Sequence, residues 1–109
     1  MKARLAEMLQ IEHPIIMAPM FLVSNTQMII EALKSGITAA FPALNYRTDE
    51  AFREAIDEIR AATDKPFGVN LIVNKSNVKY PTQLKTCVEK KVDFIITSLG
   101  SPREVIEQC

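Results

Sequence analysis

Asn70 is an amide set inside the otherwise apolar run Phe67 to Val73. A buried amide must be hydrogen-bonded, and because it carries a donor and an acceptor it suits the edge of a planar heterocycle. It can equally pin a neighbouring backbone loop, and the residue types alone leave both roles open. The residues grouped with it by the order of elements are uncharged: Ala18, Pro19 and Met20, then Pro42 to Asn45, and Thr97, Ser98 and Gly100. His13 is the only histidine. Cys87 and Cys109 show neither metal-ligand spacing nor a disulfide framework, and with one histidine and no paired-cysteine motif no metal site is expected. Two reduced thiols in a cytoplasmic protein are the simplest expectation.

Strands and helices in strict alternation would position these residues. Leu5, Met8 and Leu9 predict a short helix over Lys2 to Leu9, and Pro14 ends helical geometry before the strand Ile15-Ile16-Met17. Asn25 or Thr26 can cap a helix with Met28, Ile29, Ala32 and Leu33 on one face, and Gly36 stands where a left-handed terminator belongs. Ile37 to Phe41 reads as a second strand ending at Pro42. Thr48 caps a helix that buries Phe52, Ala55, Ile56 and Ile59, with Asp49, Glu50 and Glu54 near its positive end. Phe67 to Val73 is a third strand, apolar enough to be covered on both faces. Leu84, Cys87 and Val88 mark a helix after Pro81, Val92 to Thr97 a fourth strand, and Ser101 with Pro102 a further helix start, Ser101 capping and Pro102 at the first helical position.

Strand–helix alternation of this kind implies a parallel sheet with right-handed crossovers. The strands begin near positions 14, 37, 67 and 92, so eight such units would occupy roughly 200 residues, close to the approximately 250 of a complete barrel. The expected architecture is α/β: residues 1–109 as one partial domain, four βα units forming the amino-terminal half of a (β/α)₈ TIM barrel. In parallel α/β folds the carboxyl ends of the strands carry function, and Ala18 to Met20, Asn70, Thr97 and Ser98 lie there. His13 precedes the first strand, at the opposite end, about five strand residues of roughly 3.3 Å each away. It is expected to be structural or solvent-facing.

The 109 residues are 48% hydrophobic and 24% charged, a globular balance, and 13 basic residues cancel 13 acidic ones without forming a basic stripe. No nucleic-acid partner is implied. The longest uncharged stretch, Pro14 to Ile30, is broken by Pro19 and by Ser24 to Gln27, which excludes a membrane span, and no signal-peptide pattern opens the chain. Met17, Met20 and Met28 read as core filler, with Met20 of interest through its position. Lys90 and Lys91 read as a solvated helix end, and Arg47 as a loop ion pair or a contact for an anionic substrate.

The stretch Pro14-Ile15-Ile16-Met17-Ala18-Pro19-Met20 resembles the first strand of the nitronate monooxygenase family, also called 2-nitropropane dioxygenase-like, which includes flavin-type enoyl-acyl carrier protein reductases. Asp64-Lys65-Pro66-Phe67-Gly68-Val69-Asn70-Leu71 is similar to the segment that delivers an asparagine to the flavin in that family. The two motifs stand at matching places in the βα order, and the resemblance runs through the whole chain. It implies an FMN enzyme in which Ala18, Pro19 and Met20 pass along the flavin ring through backbone contacts, Asn70 hydrogen-bonds it, and Thr97 and Ser98 face the same cavity. It implies oxidation of an alkyl nitronate, a small carbon acid, with oxygen as partner. The catalytic histidine and the glycine-rich phosphate loops would lie beyond Cys109, leaving no catalytic residue in this chain. One departure is the segment Phe41-Pro42-Ala43-Leu44-Asn45-Tyr46-Arg47-Thr48, where the family often has glycines; the bulkier loop narrows the substrate space.

A signalling receiver would need an acidic cluster after strand one and an aspartate after strand three, where this chain has Ala-Pro-Met and Asn70. A dinucleotide-binding unit would need a glycine-rich first turn, and Gly36, Gly68 and Gly100 all lie elsewhere. A stand-alone, non-catalytic half-barrel that covers its open edges by self-association remains an alternative over these residues.

Overall fold

The computed structural model describes residues 4–109. The first helix is α1 (Arg4–Leu9), with Lys2 outside the described residues. After it come β1 (Ile16–Met17), α2 (Thr26–Lys34), β2 (Thr38–Pro42), a 3₁₀ turn (Ala43–Asn45), α3 (Asp49–Ala62), β3 (Gly68–Ile72), α4 (Tyr80–Glu89), β4 (Phe94–Ser98) and α5 (Arg103–Gln108).

The predicted start signals act as read for two helices. Asn25 accepts a hydrogen bond from the Met28 backbone at 2.9 Å, and Thr48 accepts one from the Ala51 backbone at 3.1 Å. Gly36 takes φ +88° and its carbonyl receives the backbone N–H groups of Glu12 and His13, both at 3.0 Å. That positive φ favours glycine, and a Cβ there would also press on the Glu12 side chain. The α5 start differs from expectation. The Ser101 hydroxyl accepts from Arg103, two residues on, while the Pro102 carbonyl takes the first helical bond from Ile106; Pro102 is therefore the cap residue and the helix opens at Arg103. α4 begins at Tyr80, one residue before Pro81.

The sheet is parallel throughout, in the order β1-β2-β3-β4. Its register aligns Pro42 with Asn70 and Asn70 with Ile96. Sequential order without a reversal has no topological switch point; it is the strand order of a barrel and not of a doubly wound sheet. Helices α2 to α5 share one face, because one core joins Ile29 and Leu33 of α2, Phe52, Ile56 and Ile59 of α3, Leu84 and Cys87 of α4 and Val105 of α5 to Phe41, Val69 and Leu71 of the sheet. The other face, carrying Ala40, Gly68, Asn70, Phe94, Ile96 and Ser98 by alternation, is the barrel interior. β1 and β4 stand at the edges of this four-stranded sheet. Among the described residues no helix is long and apolar enough to cross a membrane.

A charged lattice ties α3 to α4. Asp49 receives the hydroxyl of fully buried Thr86 and the Arg53 Nε at 2.7 Å, and Arg53 reaches on to Glu89 at 2.5 Å. Lys90, read as solvated, instead pairs with Asp57 of α3 at 2.8 Å. Burial works to raise the Asp49 carboxyl, but the Thr86 hydroxyl and the Arg53 guanidinium outweigh it and hold the group below its ordinary range. A depressed carboxylate contributes stability that is present above its unfolded value of 3.8 and lost as pH falls through the lower folded value. Asp49→Ala is therefore expected to cost about 1–3 kcal/mol, chiefly by leaving the Thr86 hydroxyl unpaired, and to flatten the acid limb of a urea-stability profile below about pH 4.

Candidate active site at the carboxyl ends of the strands

Val69 and Leu71 are fully buried against the helices, so Asn70 between them points into the barrel interior. Gly68, two residues earlier on that face, has no side chain because the Phe94 ring lies over it; a Cβ there would come within 2.3 Å of the ring. The Asn70 Nδ2 donates to the Ile96 carbonyl at 2.9 Å and to the Ser98 hydroxyl at 2.8 Å. The amide thus pins the carboxyl end of β4 with both its protons. Its Oδ1 meets no donor among the described residues and is not sealed from solvent, which leaves an acceptor presented to the interior. The two roles that the sequence left open are divided between the two ends of one amide.

Of the other expected positions, Ser98 shares Asn70's face and Thr97 does not. Thr97 is in register with buried Leu71 and turns its side chain to the helix layer. Ala18 and Met20 are exposed and Pro19 is half-buried beyond the end of β1. The Met20 peptide is already occupied: its N–H donates to the Ser24 hydroxyl at 2.9 Å, and its carbonyl accepts from Val23 and Ser24. The backbone polar groups of Met20 are thus already engaged, while its side chain stays exposed. Met17 packs on the helix-side core.

Among the described residues four non-glycine residues adopt left-handed backbone: Gln10, Leu22, Lys91 and Leu99. Gln10 and Lys91 terminate α1 and α4, where the following N–H closes onto Ala6 and Cys87 in the usual helix-ending pattern. Leu22 and Leu99 end no helix. They lie in the loops that follow β1 and β4, and each loop is held by an asparagine from another strand end: Asn45 bonds Leu22 and Asn74 bonds the Leu99 carbonyl at 3.2 Å. A left-handed leucine costs about 1–2 kcal/mol, so the strain collects at the face where function is expected.

His13 lies at the amino end, 59% exposed and 3.9 Å from Glu12, away from these loops. Arg47 is engaged through its carbonyl, which accepts from the Lys79 ammonium at 2.8 Å. An apolar hollow of about 470 Å³ between α4, α5 and the start of β4 is lined by Cys87, Phe94, Val105 and Ile106. It lies at the other end of β4 from Asn70 and Ser98, beside an open sheet edge. Burial drives the Cys87 thiol there up to about 12, which makes it unreactive. Among the described residues no cluster of metal-ligating side chains occurs.

Residues 2–108 match the family model described as nitronate monooxygenase. The chain is 34% identical over 83 residues to a nitronate monooxygenase of Pseudomonas aeruginosa, covering 76% of this chain and 23% of that protein. It is 31% identical over 71 residues to (3aS,4S,5R,7aS)-5-hydroxy-7a-methyl-1-oxo-octahydro-1H-indene-4-carboxyl-CoA dehydrogenase of Mycobacterium tuberculosis, covering 65% of this chain and 20% of that protein. The FabK structure from Thermotoga maritima superposes with a TM-score of 0.88 at 30% identity, over 99% of this chain and 34% of that one. The chain thus spans between a fifth and about a third of these relatives' lengths. With a family match along nearly its whole length and a parallel half-barrel that superposes on a solved relative, the chain belongs to the nitronate monooxygenase family of oxidoreductases.

Proposed function

We propose that the chain is the amino-terminal part of an FMN-dependent oxidoreductase that oxidises an alkyl nitronate or related carbon acid with oxygen. The observation that carries this reading is the Asn70 amide, whose nitrogen is spent on β4 and whose oxygen points unpaired into the barrel interior. An acceptor on an uncharged face fits the imide edge of a flavin ring, and Ser98, Ala18, Pro19 and the Met20 side chain stand at the same end of the sheet. FMN, when bound, would supply the electron transfer between the carbon acid and oxygen, which no side chain here could perform.

The work of this chain's residues is positioning. Asn70 orients the ring by its carbonyl oxygen, Gly68 lets the Phe94 ring close the floor of the interior, and the apolar stretch Met20 to Val23 screens the rim from water. The residue that takes the substrate proton and the groups that hold the cofactor phosphate are proposed to belong to the part of the barrel that the relatives carry after this region. His13, at the amino end, takes no part. The isolated chain, with β1 and β4 open and a largely apolar hollow beside β4, is expected to self-associate and to bind FMN weakly. A cytoplasmic location is part of the same proposal, in keeping with two unpaired cysteines.

A second reading, reduction of an enoyl thioester by a flavin enzyme, is favoured by the FabK superposition and by the bulky Pro42–Thr48 loop. Anaerobic mixing separates the two. The full-length flavoprotein is expected to lose its visible flavin absorbance on adding an alkyl nitronate. Bleaching by a reduced nicotinamide, with none by the nitronate, would replace the first reading by the second.

A further inference from the structure

We infer that Asn45 is a positioning residue that clamps the loop after β1 into the shape that aims Met20 at the reactive face. Its Oδ1 accepts the Leu22 N–H at 2.7 Å and its Nδ2 donates to the Ser24 carbonyl at 2.8 Å. Both ends of the amide are thus matched to partners that a flipped amide would oppose, so its orientation is unambiguous. The bonds span 23 and 21 residues of chain, joining the turn after β2 to the loop after β1.

The clamp has something to hold. Leu22 has φ +60° outside any helix terminus, and it is 71% exposed, so no burial of its side chain compensates the strained backbone. Released, the leucine would turn back to an ordinary conformation and carry its neighbours with it. Ser24, by contrast, is fully buried, and its hydroxyl receives the Met20 N–H at 2.9 Å. A continuous path therefore runs from Asn45 through Leu22 and Ser24 to the Met20 peptide, and the direction of the Met20 side chain depends on it. Glycine at position 22 would adopt the same backbone without strain, which would make the clamp dispensable.

The role at the flavin rests on the function proposed above, whereas the clamp does not, and the experiment reads them separately. Amide hydrogen exchange is measured on the chain without cofactor, and the ¹³C-methyl resonance of Met20 is followed during addition of free FMN. Asn45→Ala is expected to speed exchange at Leu22 and Met20 roughly tenfold while amides of α3 stay as protected as before. It is also expected to abolish the FMN-induced shift at Met20, and Leu22→Gly added to Asn45→Ala to restore it. If Asn45→Ala does not fold, Asn45→Asp is used instead. It has the same size, but its carboxylate opposes the Ser24 carbonyl, so the same loss at Met20 is expected. Unchanged exchange at Leu22, or an FMN response at Met20 equal to that of the unaltered chain, would overturn the inference. Faster exchange at Leu22 with a Met20 that FMN never shifts, even in the unaltered chain, would leave the clamp standing and overturn its role at the flavin.

Discussion

Phe41→Ala is expected to lower the unfolding free energy by about 3–5 kcal/mol, the largest effect of any substitution considered for this chain. Phe41 is 1% exposed at the centre of the helix-side core. Its ring meets Tyr46 and Phe52 edge-on at 5.9 and 6.1 Å and stacks near Phe67 at 6.2 Å. Truncation would remove the one ring common to those three contacts and leave a cavity between a rigid strand and two helices, which can close only in part. The neighbouring Pro42 is in register with Asn70, so the loss would also loosen the strand that flanks the candidate site. Phe41→Leu, which keeps most of the volume, should cost far less, about 1–2 kcal/mol. Urea denaturation of the three proteins checks both numbers. A Phe41→Ala midpoint equal to that of Phe41→Leu would mean that the aromatic cluster contributes little.

Much of the fold is legible in the sequence because local chemistry and tertiary demand agree. Thr48 followed by Asp49 and Glu50 announces α3, and the apolar stripe Phe52, Ala55, Ile56, Ile59 is the buried face. The run Phe67 to Val73 is apolar because Val69 and Leu71 meet helices while Gly68 meets the Phe94 ring. What escapes the sequence is set by geometry between distant residues. Ser101 looks like a helix cap, yet the backbone closes one residue later, a choice that composition does not encode. Thr97 and Ser98 look equivalent at the end of β4 until the register with Leu71 and Ile72 sends them to opposite faces.

The site shows the same division. Asn70 is conspicuous as a polar residue in an apolar strand, and the PIIMAPM-like segment marks the neighbouring strand end, but neither tells which end of the amide is committed. Asn45 is grouped with the strand ends by the order of elements, but nothing in the sequence marks it as a clamp. It sits in a turn of mixed residues, where asparagine is common for local reasons, and its two partners lie in a loop more than twenty positions away. The left-handed Leu22 is similarly silent, since left-handed backbone is read from glycine and asparagine and not from leucine.

Asn70→Ala carries the second large effect, and it acts on stability and binding together. Losing the bonds to the Ile96 carbonyl and the Ser98 hydroxyl frees the carboxyl end of an edge strand, at a cost of about 1–2 kcal/mol. Losing the exposed Oδ1 removes the acceptor proposed for the flavin ring, and the displaced end of β4 shifts Ser98 as well. The affinity for FMN should then fall roughly tenfold to a hundredfold, one to two steps of 1.4 kcal/mol. Ser98→Ala separates the contributions, because it cuts one of the two ties to β4 while leaving the bond to the Ile96 carbonyl and the amide oxygen in place, and it should cost less in FMN affinity than Asn70→Ala.

The central claim is that the interior face around Asn70 holds a flavin, and an FMN titration of the full-length protein and its Asn70→Ala variant, followed by absorbance and fluorescence, tests it most directly. The predicted result is a yellow protein whose flavin spectrum shifts on binding, with a dissociation constant roughly tenfold or more higher in the variant. A protein that stays colourless after incubation with FMN, or a variant that binds FMN with unchanged affinity and spectrum, would contradict it.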